Sequence, residues 1–186
     1  MPDQALVDEL VGSAHGNFQR VKEILDEHPE LVDASARWGE TPMEAAAQMG
    51  RRDMVAYFLN RGVPLDICTA AMLGRVPDVA AALQADGTLA QATGAHNIPL
   101  MYYPMLHGEV QVAQVLLDHG VDVNAGDGSV PPLHGAVLFN RPDMVRWLLD
   151  NGAYPGLKDY NGKTALEVAE EKGLEEIAAM LREYEV

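Results

Sequence analysis

Residues 41–66, TPMEAAAQMG followed by RRDMVAYFLNRGVPLD, contain the pattern that decides the fold of this chain. The Thr-Pro pair is typical of a helix N-cap and first turn, because proline at that position loses no useful N–H. Gly50 can adopt the left-handed conformation that ends one helix and turns the chain back. The second run then places apolar residues at helical spacing, at Met54, Val55, Phe58 and Leu59. The stretch therefore predicts a pair of packed helices.

Further copies of this pattern align on a glycine or an asparagine. These turn residues are at positions 16, 50, 74, 108, 140 and 173, so the successive spacings are 34, 24, 34, 32 and 33 residues. Two copies are especially clear: PPLHGAVLFN with RPDMVRWLLDNGA at 131–153, and TALEVAEEKG with LEEIAAMLREY at 164–184. A period of about 33 residues is typical of a stacked helical array.

These stretches resemble the ankyrin-repeat family, whose pattern is a glycine-containing loop, then T-P-L-H-x-A-A-x-x-G, then a second helix rich in valine and leucine. The resemblance implies stacked helix pairs, hairpin fingers at right angles to them, and a concave face formed by fingers and first helices. We predict an all-α ankyrin-repeat solenoid of about six helix pairs in a single domain, 1–186. The expected repeats are approximately 3–34, 35–64, 65–92, 93–124, 125–155 and 156–186.

Composition narrows the compartment and the partners. The formal net charge of −15 would repel the phosphates of nucleic acids and of anionic membranes, so we expect neither as a partner, whereas a basic or neutral partner is compatible. Cys68 is the single cysteine, which excludes an internal disulfide and fits a reducing compartment. The N-terminal residues do not resemble a signal peptide, and no apolar run is long enough to span a bilayer. We expect a cytoplasmic protein.

The array departs from its own pattern before the third repeat. The spacing of 24 residues between Gly50 and Gly74 indicates that about one finger is missing. Either a longer connection repairs this deletion, or the deletion leaves an opening between the fingers around Trp38 and His96. An opening of this kind could admit a ligand.

The fourth repeat departs in another way. Tyr102, Tyr103 and Pro104 stand where the other repeats have small residues. Proline inside a helix removes a hydrogen bond and costs roughly 3 kcal/mol unless a kink or bulge absorbs it. Two phenol rings also need more room than two methyl groups, so we expect the neighbouring repeat to open here.

A third departure concerns the two positions before each turn residue, which face the concave surface in the ankyrin pattern and are normally polar. In the central repeats they carry apolar side chains, and we expect an exposed strip of Met49, Met72, Leu73, Leu106, Leu138 and Phe139. A strip of this kind is unusual unless something covers it. The cover is either the connection 85–97 or a bound ligand or partner. Trp38 is our best single contact residue, unless it packs on the tail at 31–36.

Histidines and tyrosines near this strip suggest chemistry only under one condition. If the fingers lean over the strip, His96, His107, Tyr102, Tyr103 and Glu40 could converge and perform acid–base catalysis. The chain has no metal-ligand spacing and no phosphate-binding loop, so we predict no metal and no cofactor. We expect His134 to bond between neighbouring loops, and Cys68 to be buried and inert.

Two functional hypotheses follow. The first is a module that captures a protein or peptide partner on an apolar concave face, using Trp38, the strip residues, His96, His107, Tyr102 and Tyr103. The second is a protein that binds a hydrophobic small molecule, or an enzyme of the isomerisation, cyclisation or hydration class. Whether the chain is an enzyme stays open. We expect a monomer rather than a homodimer.

Overall fold

The computed structural model describes residues 3–184, and within them the chain forms α-helices and 3-10 helices but no strand. The α-helices are α1 (Gln4–Ala14), α2 (Phe18–Glu27), α3 (Pro42–Gln48), α4 (Arg52–Leu59), α5 (Ile67–Met72), α6 (Val76–Ala85), α7 (Val110–Asp118), α8 (Pro132–Leu138), α9 (Pro142–Asp150), α10 (Ala165–Glu171) and α11 (Glu175–Arg182). The 3-10 helices are Pro29–Leu31, Gly87–Gln91, Ala95–Asn97 and Leu100–Leu106. No helix in the described range is long and apolar enough to cross a membrane.

The helices stack as six consecutive pairs. They are α1 with α2, α3 with α4, α5 with α6, the 3-10 helix Leu100–Leu106 with α7, α8 with α9, and α10 with α11. The first members also contact one another along the array, α1 on α3, α3 on α5, and so on to α8 on α10. The all-α solenoid of six helix pairs that the sequence predicts is therefore confirmed.

Local signals in the sequence set the helix ends. Thr41 caps α3 and exchanges hydrogen bonds with Glu44 in a capping box, and Pro42 follows at the first helical position. Thr164 and Glu167 form the same box at α10. Gly50 has a φ of 66°, which is the left-handed conformation that reverses the chain into α4.

The connections between pairs form fingers at 33–41, 92–99, 122–130 and 154–164. Each finger is numbered after the helix pair that it precedes, so these are the second, fourth, fifth and sixth fingers. The fourth, fifth and sixth fingers are hydrogen-bonded in series. Ser129 Oγ donates to the His96 carbonyl at 3.3 Å. The Tyr160 N–H donates to the Ser129 carbonyl at 2.8 Å. Before α5 there is no finger: residues 60–66 lead directly into the helix, and Asp66 caps it. The finger that the spacing predicts to be missing is therefore missing.

The absence of that finger brings the second and fourth pairs into direct contact. The Tyr102 hydroxyl donates to the Gln48 carbonyl at 3.2 Å, and His107 Nε2 lies 2.9 Å from the Gly50 carbonyl oxygen. The short helix α5 lies behind this contact, with Met72 fully buried. A third tie joins the two pairs through the guanidinium of Arg52 and the carboxylate of Glu109.

The fingers on either side of the gap also meet. His96 Nε2 lies 3.4 Å from Glu40 Oε2, and the 3-10 helix Ala95–Asn97 contacts α3. Of the two alternatives for the missing finger, an opening between the fingers around Trp38 and His96 is therefore wrong. The physical reason is that the fourth finger leans across the position of the missing one.

The first helix of the fourth pair accommodates its proline by being a 3-10 helix instead of an α-helix. Leu100–Leu106 is a 3-10 helix with Pro104 inside it. Its two tyrosine rings meet edge to face, with centroids 5.6 Å apart, and both are buried. A Cβ added to Gly135 would lie 2.7 Å from the Tyr102 ring, and one added to Gly94 would lie 1.9 Å from the Tyr103 hydroxyl. Glycines in the neighbouring segments thus provide the room that we expected an opened repeat to provide.

Candidate functional site

A large cavity lies between the fingers and the ends of the first helices. Its volume is about 760 Å³. The helix side consists of Gln48, Met49, Tyr102, Leu138 and Phe139. The finger side includes His96, Asn97, Ile98, Ser129, Val130 and Tyr160. We call this space the main cavity.

Five residues of the predicted site line the main cavity. Met49 and Leu138 are 42% and 39% exposed, and Phe139 is partly buried beside them. Tyr102 and His96 contribute from the fourth pair and its finger. The connection 85–97 borders this cavity through His96 but leaves Met49 and Leu138 exposed, so it does not provide the cover that we considered.

The continuous exposed strip is wrong at its centre. Met72 and Leu106 are fully buried, and Leu73 is partly buried against the core. Met72 is hidden because α5 lies behind the contact between the second and fourth pairs. Leu106 packs on Gly50, where an added Cβ would lie 3.2 Å from Leu106 Cδ2. The exposed apolar surface is therefore divided between Met49 and the Leu138–Phe139 pair.

The five predicted catalytic side chains do not converge. His107 bonds to the Gly50 carbonyl, away from the main cavity, and burial lowers its pKa. Tyr103 lines a separate cavity of about 140 Å³ with Cys68. The Tyr102 hydroxyl donates a hydrogen bond to the Gln48 carbonyl, and burial raises the pKa of Tyr102 above its ordinary value. Only His96 and Glu40 bring their ionisable groups together, with His96 Nε2 3.4 Å from Glu40 Oε2.

Glu40 is fully buried at the centre of a polar cluster next to the main cavity. Its Oε1 accepts from Gln48 Nε2 at 2.6 Å and lies 3.3 Å from His15 Nε2. Its Oε2 accepts from Trp38 Nε1 at 2.6 Å and lies 3.4 Å from His96 Nε2. We call these five residues the Glu40 cluster.

Glu40 and His15 each stabilise the charged form of the other. Burial pushes the pKa of the Glu40 carboxyl upward, but hydrogen bonds from His15 and Trp38 outweigh burial, so the pKa lies below its ordinary value. The hydrogen bond to Glu40 in turn raises the pKa of His15. Trp38 is 48% exposed, and its indole N–H bonds to Glu40; it does not line the main cavity.

Sequence reasoning missed three residues here. His15 is not among the predicted site residues, although it approaches Glu40 from the first helix pair. Gln48 stands beside Met49 in the apolar pattern, and its polarity is the signal that could have singled it out. Its Oε1 is buried without a hydrogen-bond partner among residues 3–184. Tyr160, on the sixth finger, is 71% exposed and lines the main cavity.

Two other expectations concern residues outside the main cavity. His134 Nε2 lies 2.8 Å from the Lys163 carbonyl oxygen, so the predicted bond between neighbouring loops is confirmed. Cys68 is buried, and burial raises the pKa of its thiol, which disfavours the reactive thiolate. Over the described range, no group of three or more His, Cys, Asp or Glu side chains is placed to hold a metal ion.

Comparison with known proteins identifies the family. Models of the ankyrin repeat match residues 38–70 and, as "Ankyrin repeats (many copies)", residues 116–169. Human cyclin-dependent kinase inhibitor 2A is 34% identical over 119 residues, which are 62% of this chain and 74% of that protein. The chain belongs to the ankyrin-repeat family. Between the two matched ranges of this ankyrin-repeat protein lie residues 71–115, which hold the fourth finger and the 3-10 helix with Pro104.

Other ankyrin-repeat relatives match shorter stretches. The E3 ubiquitin-protein ligase hecd-1 of Caenorhabditis elegans is 49% identical over 65 residues, or 35% of this chain. The putative ankyrin repeat protein YahD of Escherichia coli is 40% identical over 81 residues, or 40% of each chain. The chain spans only 2% of the length of the nematode ligase. These matches fix the repeat architecture, and ankyrin repeats generally mediate contacts between proteins.

Proposed function

We propose that this ankyrin-repeat domain captures a protein or peptide partner, and that the main cavity on its concave face is the recognition site. The observation that carries the proposal is the combination of volume and lining. A space of about 760 Å³ is bordered by the half-exposed apolar side chains Met49 and Leu138, and by the finger residue Tyr160. Burying such side chains under a partner is the main source of affinity in protein interfaces.

The polar residues of the fingers would provide specificity around this apolar centre. Ser129, Asn97 and Tyr160 contribute hydrogen-bonding groups to the finger side of the main cavity. An apolar centre with a polar rim is the usual arrangement of a protein interface. Trp38, whose indole N–H bonds to Glu40, is 48% exposed and is available as a peripheral contact.

The test uses two variants that place the same charge on residues of equal exposure. Leu138→Glu changes a side chain of the main cavity that is 39% exposed, and Val110→Glu changes one on α7 that is 37% exposed. Tagged wild-type and variant proteins would be used to capture partners from a lysate of the native organism, followed by quantitative mass spectrometry. We expect partners that Leu138→Glu loses and Val110→Glu retains. The same set of partners with all three proteins would contradict the proposal.

A second candidate function is the binding of a hydrophobic small molecule. The volume of the main cavity favours it, because it falls in the range of roughly 300–1,000 Å³ that is typical of ligand pockets. Native mass spectrometry of freshly purified protein tests this candidate. An added mass that is present in the wild type and absent in Leu138→Glu would favour a small molecule over a protein partner.

A further inference from the structure

The carboxylate of Glu40 lies directly behind the main cavity. Each of its oxygens has one neighbour that lines that cavity: Gln48 at 2.6 Å from Oε1, and His96 at 3.4 Å from Oε2. The other neighbours, His15 and Trp38, approach from outside the main cavity. A single layer of side chains therefore separates a buried negative charge from a space that is open to a partner.

His96 is the most loosely held member of the Glu40 cluster. Its contact with Glu40 is the longest of the four, and half of its side chain is exposed to solvent. Its backbone has a φ of 58°, as does that of Asn97, in a region that L residues rarely adopt. Gln48, by contrast, is buried and fixed by its 2.6 Å bond. Of the two side chains in that layer, His96 is the one that can move aside.

The remaining walls suit a long side chain with a charged end. Met49, Leu138 and Phe139 are apolar, and Tyr102 and Tyr160 add aromatic surface. Lysine and arginine carry aliphatic stems that pack on such walls, and their charged groups are attracted to aromatic rings. The net charge of −15 also draws a basic partner toward the molecule.

We propose that the main cavity selects a lysine or arginine side chain of a protein or peptide partner, whose cationic group replaces His96 on Glu40. This inference rests on the proposed function and specifies the chemistry of the partner. A buried carboxylate is destabilised when it loses a partner. The cationic group of the bound side chain replaces the contact that Glu40 loses when His96 moves away. A charged hydrogen bond formed away from water is strong, so this exchange favours the basic side chain.

The experiment compares four seven-residue peptides, acetyl-Gly-Ser-Leu-X-Leu-Ser-Gly-amide, in which X is lysine, arginine, norleucine or glutamate. Calorimetric titration of the whole chain gives each dissociation constant. We expect the lysine or arginine peptide to bind at least about tenfold more tightly than the norleucine peptide, and the glutamate peptide to bind most weakly. In Glu40→Gln the preference should fall below about twofold. The charge control is Glu176→Gln, at an exposed position on α11, which should keep the preference.

His96→Ala provides a second test that does not remove the buried carboxylate. If a basic side chain replaces His96, deleting the histidine removes a competitor, and affinity for the basic peptide should rise about threefold or more. If His96 is instead an ordinary contact for the peptide, affinity should fall, and that result would overturn the inference. Proton NMR of the wild type adds a direct readout: the basic peptide should shift the His96 ring and Trp38 indole signals, and the norleucine peptide should not.

The outcomes also separate this inference from the proposed function. If the norleucine peptide binds as tightly as the basic ones and Leu138→Glu abolishes its binding, selection of a cation is wrong and the recognition site stands. If no peptide binds, selection of a basic side chain is wrong as well, and the capture experiment with Leu138→Glu decides the proposed function independently.

Discussion

At the scale of single residues, the buried Glu40 organises its neighbours. A carboxylate without solvent needs hydrogen-bond donors, and this one has them from the first helix pair, the second finger, α3 and the fourth finger. Glu40, a side chain of the second finger, therefore links the first, second and fourth helix pairs. His15, the residue that follows α1, faces Glu40, so the ionisation of His15 should affect stability.

The pKa of His15 is raised above 6.5 by Glu40, so its contribution to stability is present below pH 6.5 and is lost as the pH rises through the folded-state pKa. The pKa of Glu40 is lowered from 4.5, so its contribution is lost as the pH falls through its own folded-state pKa. We predict that His15→Gln loses most stability relative to wild type between pH 4.5 and 6.5, and less at about pH 8.5. Urea denaturation at each pH measures the difference.

His134→Gln is the control, because its pH dependence should have the opposite sign. Burial lowers the pKa of His134, so its native state resists protonation and its contribution to stability is lost as the pH falls below 6.5. The stability lost in His134→Gln should therefore grow as the pH rises. A loss in His15→Gln that does not change with pH would contradict the prediction.

Residue roles were the hardest to predict from sequence. Spacing placed Met49 and Leu138 beside a turn residue, and that was enough to expect them at the surface. It gave no sign that His15 would contact Glu40, because the two lie on different helix pairs and only the stacking angle joins them. It also could not show that Tyr102 and His107, five residues apart, would bond to backbone carbonyls of the second pair.

At the scale of helices and fingers, the 3-10 helix Leu100–Leu106 is the element that departs most from the repeat. Proline and two tyrosines predicted a disturbed helix there, and the structure has one. The consequence for its neighbours followed from contacts that no local pattern encodes. Tyr102 reaches across α5 to the second pair, and α8 receives its ring with Gly135.

Tyr102→Phe tests how much the hydrogen bond from Tyr102 to the second helix pair contributes to stability. Removing the hydroxyl leaves the buried carbonyl of Gln48 without its donor, so we predict a loss of about 1–2 kcal/mol in the free energy of unfolding. Tyr103→Phe is the matched control, because the Tyr103 hydroxyl lies against Gly94 in the smaller cavity and makes no hydrogen bond to another described residue. Its effect should stay within about 0.5 kcal/mol. Equal losses in the two variants, measured by urea denaturation, would contradict this account.

At the scale of the whole molecule, the period of the turn residues was sufficient to predict the architecture. The repeat fixed six helix pairs, their order and the missing finger, because each pair buries its apolar face on the next. The shape of the finger side was not predictable in the same way. It depends on how far α5 lies behind its neighbours, and a spacing of 24 residues does not contain that information.

We predict that the chain is a monomer. Outside the main cavity, the large exposed apolar side chains of the described range are few and lie on different elements, as Val110, Tyr154 and Tyr184 illustrate. A stable dimer needs about 800 Å² of well-packed surface from each partner, which such a distribution does not offer. Sedimentation equilibrium from low to high micromolar concentration should give one constant mass. A mass that rises toward twice the monomer would overturn the prediction.

The contacts between the second and fourth helix pairs change how the array should unfold. In an ordinary solenoid each unit holds only its immediate neighbours, so the ends can fray one unit at a time. Here Arg52, Gln48 and Gly50 are bound to residues two units further on. We therefore expect the second, third and fourth units to open together. A chain with one loop fewer thus acquires a cooperative block at its centre, and that block carries one side of the main cavity.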